Sequence, residues 1–250
     1  MTPPPVLEIA NVEKHFGGLA ALDGVNVSIE SGKLTAIIGP NGAGKTTLFN
    51  VITGILPASA GLVKFQGQEI TGQPVHEISK LGLARTLQIK SVFSGMTVRE
   101  NLWIAAQSRD GVFKPFQPAS KSKHANETAD RVCEELGLSA LANKEASNLS
   151  YGDIALLEIG LALATEPKLL LLDEPICGMG PAETEQTVEK IQSLSKQIDI
   201  VIIEHDIEVV FDISEDIIVM NLGKVLARGT PEEIAKDTEV RTAYLGDDDA

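Results

Sequence analysis

The run Gly39-Pro40-Asn41-Gly42-Ala43-Gly44-Lys45-Thr46 fits the pattern G-x-x-x-x-G-K-[ST] and is followed by a second hydroxyl, Thr47. Those residue types in that order suit a phosphate chain. Glycines let successive backbone N–H groups curl round phosphate oxygens, and a helix starting there points its positive end at them. Lys45 then reaches the terminal phosphates, and Thr46 is placed to ligate Mg2+. The bland alternative is a glycine-rich turn carrying a surface lysine; the strand-like stretch before the motif and the helical stretch after it, within Lys33–Ile55, weigh against that.

Further along, "LLLLDEP" (Leu169–Pro175) ends an apolar strand on adjacent carboxylates. In an open α/β sheet ligands collect at such ends. Asp173 is suited to hold Mg2+ through water, and Glu174 to orient and deprotonate the water that attacks a γ-phosphate. Taken alone, a strand-end Asp-Glu also serves to cap the next loop. His205 closes another apolar run, "VIIEHD", where an imidazole can donate to a phosphate oxygen, although a lone histidine is more often structural. His15, His76 and His124 stand in polar surroundings and read as surface residues.

The elements that must position these groups follow from periodicity. Leu7–Ala10 and Val25–Ile29 read as strands of a small antiparallel unit, Lys33–Ile55 as one βα unit, and Leu169–Leu172 and Ile200–Ile203 as buried strands. Between them the pattern is helical at Val98–Gln107, Asn126–Leu136 and Ile154–Ala164. The stretch Ser108–His124, with its prolines, phenylalanines and lysines, reads as an irregular loop. These boundaries predict a single domain over 5–245, with 6–84 and 166–245 forming a core with its β-subdomain and 85–165 an inserted helical subdomain.

With 250 residues the chain can bury a substantial core. A formal charge of −14 argues against a general nucleic-acid surface. Two cysteines far apart, Cys133 and Cys177, indicate neither a disulfide framework nor a metal cluster, and fit a reducing cytoplasm. Cys177 is expected to be a small buried hydrophobe. The opening MTPPPVLEIA lacks a basic end followed by an apolar core, and no apolar run approaches the ~18 residues of a membrane span, so a soluble chain is expected.

"LSYGD" (Leu149–Asp153) reads as a helix start, with Ser150 at the N-cap and Asp153 closing a capping box with a short acid. In sequence order, "GPNGAGKTT", Gln88, "LSYGD", "LLLLDEP" and His205 together resemble the nucleotide-binding subunit of an ATP-binding cassette (ABC) transporter. The resemblance covers nearly the whole chain. It implies an α/β fold with a RecA-like parallel-sheet core, a small antiparallel β-subdomain and an inserted helical subdomain. It implies ATP and Mg2+ as cofactors, with Gly39, Asn41, Gly42, Gly44, Lys45, Thr46 and Thr47 at the phosphates and Phe16 stacked on adenine. The lesser alternative for Phe16 is a core residue of the β-subdomain. Thr46, Gln88 and Asp173 would serve the metal, Glu174 would be the catalytic base, Gln88 the γ-phosphate sensor and His205 the switch. Ser150 and Gly152 would face the γ-phosphate bound by a second subunit.

The segments "HFGGLAALDGV", "ARTLQIKSVFSGMTVRENL", "LEIGLALATEPKLLLLDEP" and "EHDIEVVFDISEDIIVMNLGKVLARGTPEEI" are similar to the ATPase subunits of bacterial branched-chain amino acid importers and their amide- and urea-carrying relatives. This implies two transmembrane permease subunits, a second ATPase (itself or a paralogue) and a periplasmic or extracellular solute-binding protein as partners, no nucleic acid, and a peripheral place on the cytoplasmic face of the bacterial inner membrane. The alternative is a cassette ATPase of lipid export or soluble assembly machinery. Tyr151, Asp153 and Gly180 depart from the commonest family pattern. Placed about 8 Å from a phosphate at an effective dielectric near ~40, Asp153 would oppose ATP by roughly 1 kcal/mol; a solvated, neutral role is the bland alternative.

Overall fold

A computed structural model describes residues 4–86, 92–108 and 122–245. The buried apolar runs become the centre of a mostly parallel sheet. β3 (Leu34–Ile38), β6 (Leu83–Arg85), β7 (Leu169–Asp173), β8 (Asp199–Ile203) and β9 (Asp216–Asn221) run parallel, and β10 (Lys224–Gly229) closes the edge antiparallel, in the order β10-β9-β3-β8-β7-β6. Successive side chains of a strand point to opposite faces, and both faces here are covered, so the runs are apolar throughout. Leu170, Leu172, Ile200 and Ile202 enter the core on the helical side. Leu169, Leu171, Val201 and Ile203 enter a second core with Leu48, Phe49 and Ile52. The register Leu169↔Asp199 through Asp173↔Ile203 brings the last residue of β7 level with the last of β8.

A separate antiparallel sheet, order β2-β1-β4-β5, contains β1 (Leu7–Phe16), β2 (Leu19–Ile29), β4 (Ala60–Phe65) and β5 (Gln68–Glu69). The first two strands extend well beyond the apolar cores that announce them, because their distal halves are exposed and their register is broken by irregularities between Ile9 and His15. The short hairpin between β9 and β10 turns on Leu222 (φ 47°) and Gly223 (φ 78°), both left-handed, as a tight hairpin requires. The Gly223 N–H donates to Ala43 O at 3.0 Å and its carbonyl accepts from Asp23 N at 2.9 Å, tying β2, the hairpin and the phosphate loop together.

Helix α1 (Lys45–Ile52) follows β3, and α2 (Val75–Leu81) precedes β6. The helical region packs α3 (Val98–Gln107), α4 (Lys123–Glu135) and α5 (Tyr151–Leu163), and α6 (Pro181–Ser195), α7 (Ile207–Ile213), α8 (Pro231–Lys236) and α9 (Thr238–Leu245) complete the chain. Buried Asn101 organises the turn before α3: its side-chain oxygen accepts from Phe93 N at 2.7 Å and its amide donates to Thr97 O at 2.9 Å. Gly160 lets α5 close on its neighbours, since a Cβ there would lie 2.8 Å from Leu102 Cδ2.

Two expectations need correction. The expected loop Ser108–His124 falls mostly on residues outside the described set, but Lys123 and His124 already belong to α4, because Ser122 caps the helix by accepting from Ala125 N at 3.4 Å. Cys177 is exposed, whereas Cys133 is buried. In the turn after Glu174 the apolar slot is filled by buried Ile176, which leaves the next side chain facing out.

Candidate functional site

Parallel strands put their carboxyl ends on one edge, so β3, β7 and β8 deliver the phosphate loop, the carboxylate pair and His205 to the same side of the sheet. The loop's shape depends on glycine where the backbone is left-handed and crowded. Gly39 (φ 151°) passes so close to β9 that a Cβ would lie 2.1 Å from Met220 O, and Gly44 (φ 100°) leaves 2.6 Å to Ala21 O. α1 begins at Gly44 without a side-chain cap, so its first N–H groups are left for an anion. Thr46 and Thr47 lie in this first turn, and Asn41 and Gly42 are exposed at the loop tip.

Lys45 is buried and folded over the loop, its ammonium donating to Gly39 O at 2.7 Å and Pro40 O at 3.2 Å. Desolvation pulls its pKa below the ordinary lysine value, and the charges of Glu174 and Asp173 pull it partly back. Asp173 is fully buried at its side chain; Oδ2 accepts from Arg85 Nη2 at 2.6 Å, while Oδ1 is buried with no hydrogen-bond partner. Its N–H donates to Thr86 Oγ1 at 3.2 Å. Removing one member of such a buried pair typically costs about 3–5 kcal/mol.

Glu174 sits at φ 51°, a left-handed conformation that a non-glycine residue adopts only when its surroundings enforce it. The enforcing contact is its N–H donating to Ile203 O at 2.8 Å, at the end of β8. His205, next in the adjoining loop, has a largely exposed imidazole whose Nδ1 lies 3.7 Å from Glu204 Oε2. Glu204 is wholly buried and accepts from the N–H groups of Ile176 and His205, both at 3.1 Å. Burial pushes its carboxyl above the usual glutamate range, and those N–H groups pull the other way. Glu204 thus joins the loop after Glu174 to His205, a link between distant segments that no local spacing announces.

Ser150 caps α5 as its sequence predicts: its hydroxyl accepts from Asp153 N at 3.1 Å, and its own N–H donates to the Asp153 carboxylate at 3.4 Å. The Gly152 N–H donates to Glu183 Oε1 at 3.2 Å, and Glu183 also accepts from Gly180 N at 3.4 Å. No hydrogen bond joins Ser150 or Gly152 to the phosphate loop among the described residues. A cavity of about 290 Å³ lies between α5 and the end of β7, walled by Tyr151, Glu158, Asp173, Glu174 and Cys177. Phe16 is exposed at the end of β1 with Lys14 Nζ 5.1 Å above its ring, so it is not a core residue. His15, His76 and His124 are exposed beside Glu13, Glu77 and Glu166. Gln88 lies outside the described residues.

The profile of the family described as ABC transporter matches residues 22–177, and that described as Branched-chain amino acid ATP-binding cassette transporter matches 224–250. The high-affinity branched-chain amino acid transport ATP-binding protein BraF of Pseudomonas aeruginosa is 40% identical over 97% of this chain and 98% of its own length. The corresponding LivG of Escherichia coli K12 is also 40% identical, with the same coverage. Among solved structures, a nucleotide-free ATP-binding cassette from an ABC transporter aligns with a TM-score of 0.87 at 36% identity, over 97% of this chain and 99% of that one.

Proposed function

We propose, since this chain belongs to the ABC transporter family and hydrolyses ATP to power transport as that family does, that the cargo is branched-chain amino acids or closely related small amino acids and amides, carried inward. The C-terminal match at 224–250 and the full-length relatives named for branched-chain amino acid transport support this cargo. The observation that carries the mechanism is the convergence of three strand ends on one edge. There, Lys45 and the N–H groups of Gly39, Asn41, Gly42, Gly44, Thr46 and Thr47 hold the phosphates, Phe16 stacks on adenine, Glu174 orients and deprotonates water, and His205 donates to the γ-phosphate. The buried, unpartnered Oδ1 of Asp173 and the Thr46 hydroxyl are hard oxygen donors that fit Mg2+, with Gln88 joining them by resemblance. When bound, Mg2+ neutralises charge on the β- and γ-oxygens.

Ser150 and Gly152 complete the site of a second ATPase, a copy of this chain or a paralogue, so that two ATP molecules are sandwiched head to tail. Loss of the γ-phosphate contact then opens the pair. No helix of the described residues is long and apolar enough to cross a membrane. By the family resemblance, two permease subunits supply the path and a solute-binding protein the cargo. The ATPase lies at the cytoplasmic face of the bacterial inner membrane, and its −14 charge argues against a general nucleic-acid surface.

An apolar groove of about 530 Å³ between α2 with β6 on one side and α3 with α5 on the other, lined by Ile55, Val75, Phe93, Ile104 and Leu161, suits an apolar segment of the permease. A photocrosslinking residue at Phe93, which is exposed, is expected to capture a permease subunit in the intact membrane complex. No permease adduct, or an adduct with a cytosolic scaffold, would remove the importer assignment.

Asp153→Gln keeps the α5 capping box, since glutamine also serves at that position. Removing a charge worth roughly 1 kcal/mol near the partner's phosphate should strengthen ATP-dependent dimerisation by about fivefold. Gel filtration in a Glu174→Gln background measures it, and an unchanged dimer fraction would mean that Asp153 is neutral.

A further inference from the structure

The side chain of Arg85, the last residue of β6, is 6% exposed, and both of its hydrogen bonds go to elements of the site, while its Nε is buried without a partner. Nη2 donates to Asp173 Oδ2 at 2.6 Å, Nη1 donates to Asn50 Oδ1 of α1 at 2.6 Å, and the guanidinium lies 5.4 Å from the centre of the buried Phe49 ring. The planar fork is therefore fixed on two sides and one face. A lysine could not reproduce this, because a single ammonium lacks the fork. Asp173 in turn has one oxygen occupied by Arg85 and the other buried and unpartnered. An unpaired buried carboxylate oxygen is costly, and it persists here where the proposed metal site needs an acceptor.

We infer that Arg85 is a positioning residue for Mg2+: it engages Oδ2 of Asp173, sets the carboxylate plane and leaves Oδ1 as the oxygen offered to the metal's water shell. The inference rests on the ATP and Mg2+ reading of this site. Because α1 carries Lys45 and Thr46 at its start and Asn50 further along, Arg85 also fixes the distance between the phosphate-binding helix and the strand that ends in Asp173. Orientation outweighs charge in this arrangement. Asp173 meets the metal through water, whose hydrogen bonds are directional, and partners that orient metal ligands typically matter by 10- to 100-fold in metal affinity. A guanidinium that merely competed with the metal for Asp173 would act in the opposite direction.

The test uses the full chain carrying Glu174→Gln, so that nucleotide is not consumed, with a fluorescent ATP analogue titrated in EDTA and then at increasing Mg2+. In this parent, Mg2+ should tighten binding; a parent that binds no analogue, or is indifferent to Mg2+, fails the ATP and Mg2+ reading itself. Arg85→Gln should raise the Mg2+ concentration for half-effect by tenfold or more, with affinity in EDTA changed less than twofold, and Arg85→Lys should recover only part of the loss. An unchanged Mg2+ midpoint, a lowered one, or a parallel fall of both affinities would overturn the inference, the last because it marks a purely structural role. Should Arg85→Gln fail to give a cooperative melt, Asn50→Ala keeps the charge and frees one side of the fork. It should raise the midpoint about threefold, and no change would overturn the inference equally.

Discussion

Glu174→Gln is expected to abolish ATP turnover, by about 10²- to 10⁴-fold, while leaving ATP bound and the protein dimeric. The substitution preserves size and the backbone that holds position 174, since the enforcing contact is its N–H to Ile203 O and not a side-chain bond. What disappears is the carboxylate proposed to take the water's proton. Without hydrolysis the γ-phosphate stays, and with it the contact that keeps two subunits closed. Phosphate release and gel filtration with ATP measure the two halves of the prediction. Retained turnover would remove Glu174 from its role as base, and lost turnover without a dimer would remove the sandwich.

Lys45→Met should weaken ATP binding by about ten- to hundredfold, the equivalent of roughly 1.5–3 kcal/mol for a hydrogen bond to a charged group. The ammonium donates to Gly39 O and Pro40 O, two carbonyls of the loop itself. Binding must transfer it to phosphate. Methionine has nearly the same length and removes the ammonium's desolvation, but it leaves Gly39 O and Pro40 O without their donor, so the free protein should melt slightly earlier than the parent. Calorimetric titration with ATP, alongside the melt, separates these effects; affinity within twofold of the parent would show that backbone N–H groups alone hold the nucleotide.

What the sequence discloses divides along a physical line. β7 and β8 are legible because strands buried on both faces are unbroken apolar runs, and α5 is legible from its first residue because Ser150 and Asp153 carry the chemistry of a cap. β10 and β5 are not, since partly exposed strands such as Lys224–Gly229 mix charge with apolar residues and lack a clear period. At the site, motif residues announce themselves, but their supports do not. Arg85 meets Asp173 across 88 positions of chain, Glu183 reaches Gly152 across 31, and Glu204 reaches Ile176 across 28. Such pairs have no local spacing to recognise. The exposure of Cys177 was hidden for a related reason: within a short turn only one of two neighbours can fill the apolar slot, and composition does not say which.

The tie between the Gly223 turn and Ala43, together with the close passage of Gly39 beneath Met220, has a consequence for how the chain is born. The phosphate loop leaves the ribosome early, yet the strand and hairpin against which it is shaped are among the last parts translated. At synthesis rates of roughly 5–20 residues per second the interval is on the order of ten seconds or more. Until residue 199 is made, β3, which belongs between β8 and β9, has neither neighbour, and β9 follows β8. The nascent protein is therefore unable to bind nucleotide until its own synthesis is nearly over, and a truncated product, released before residue 220, has the motif without the function.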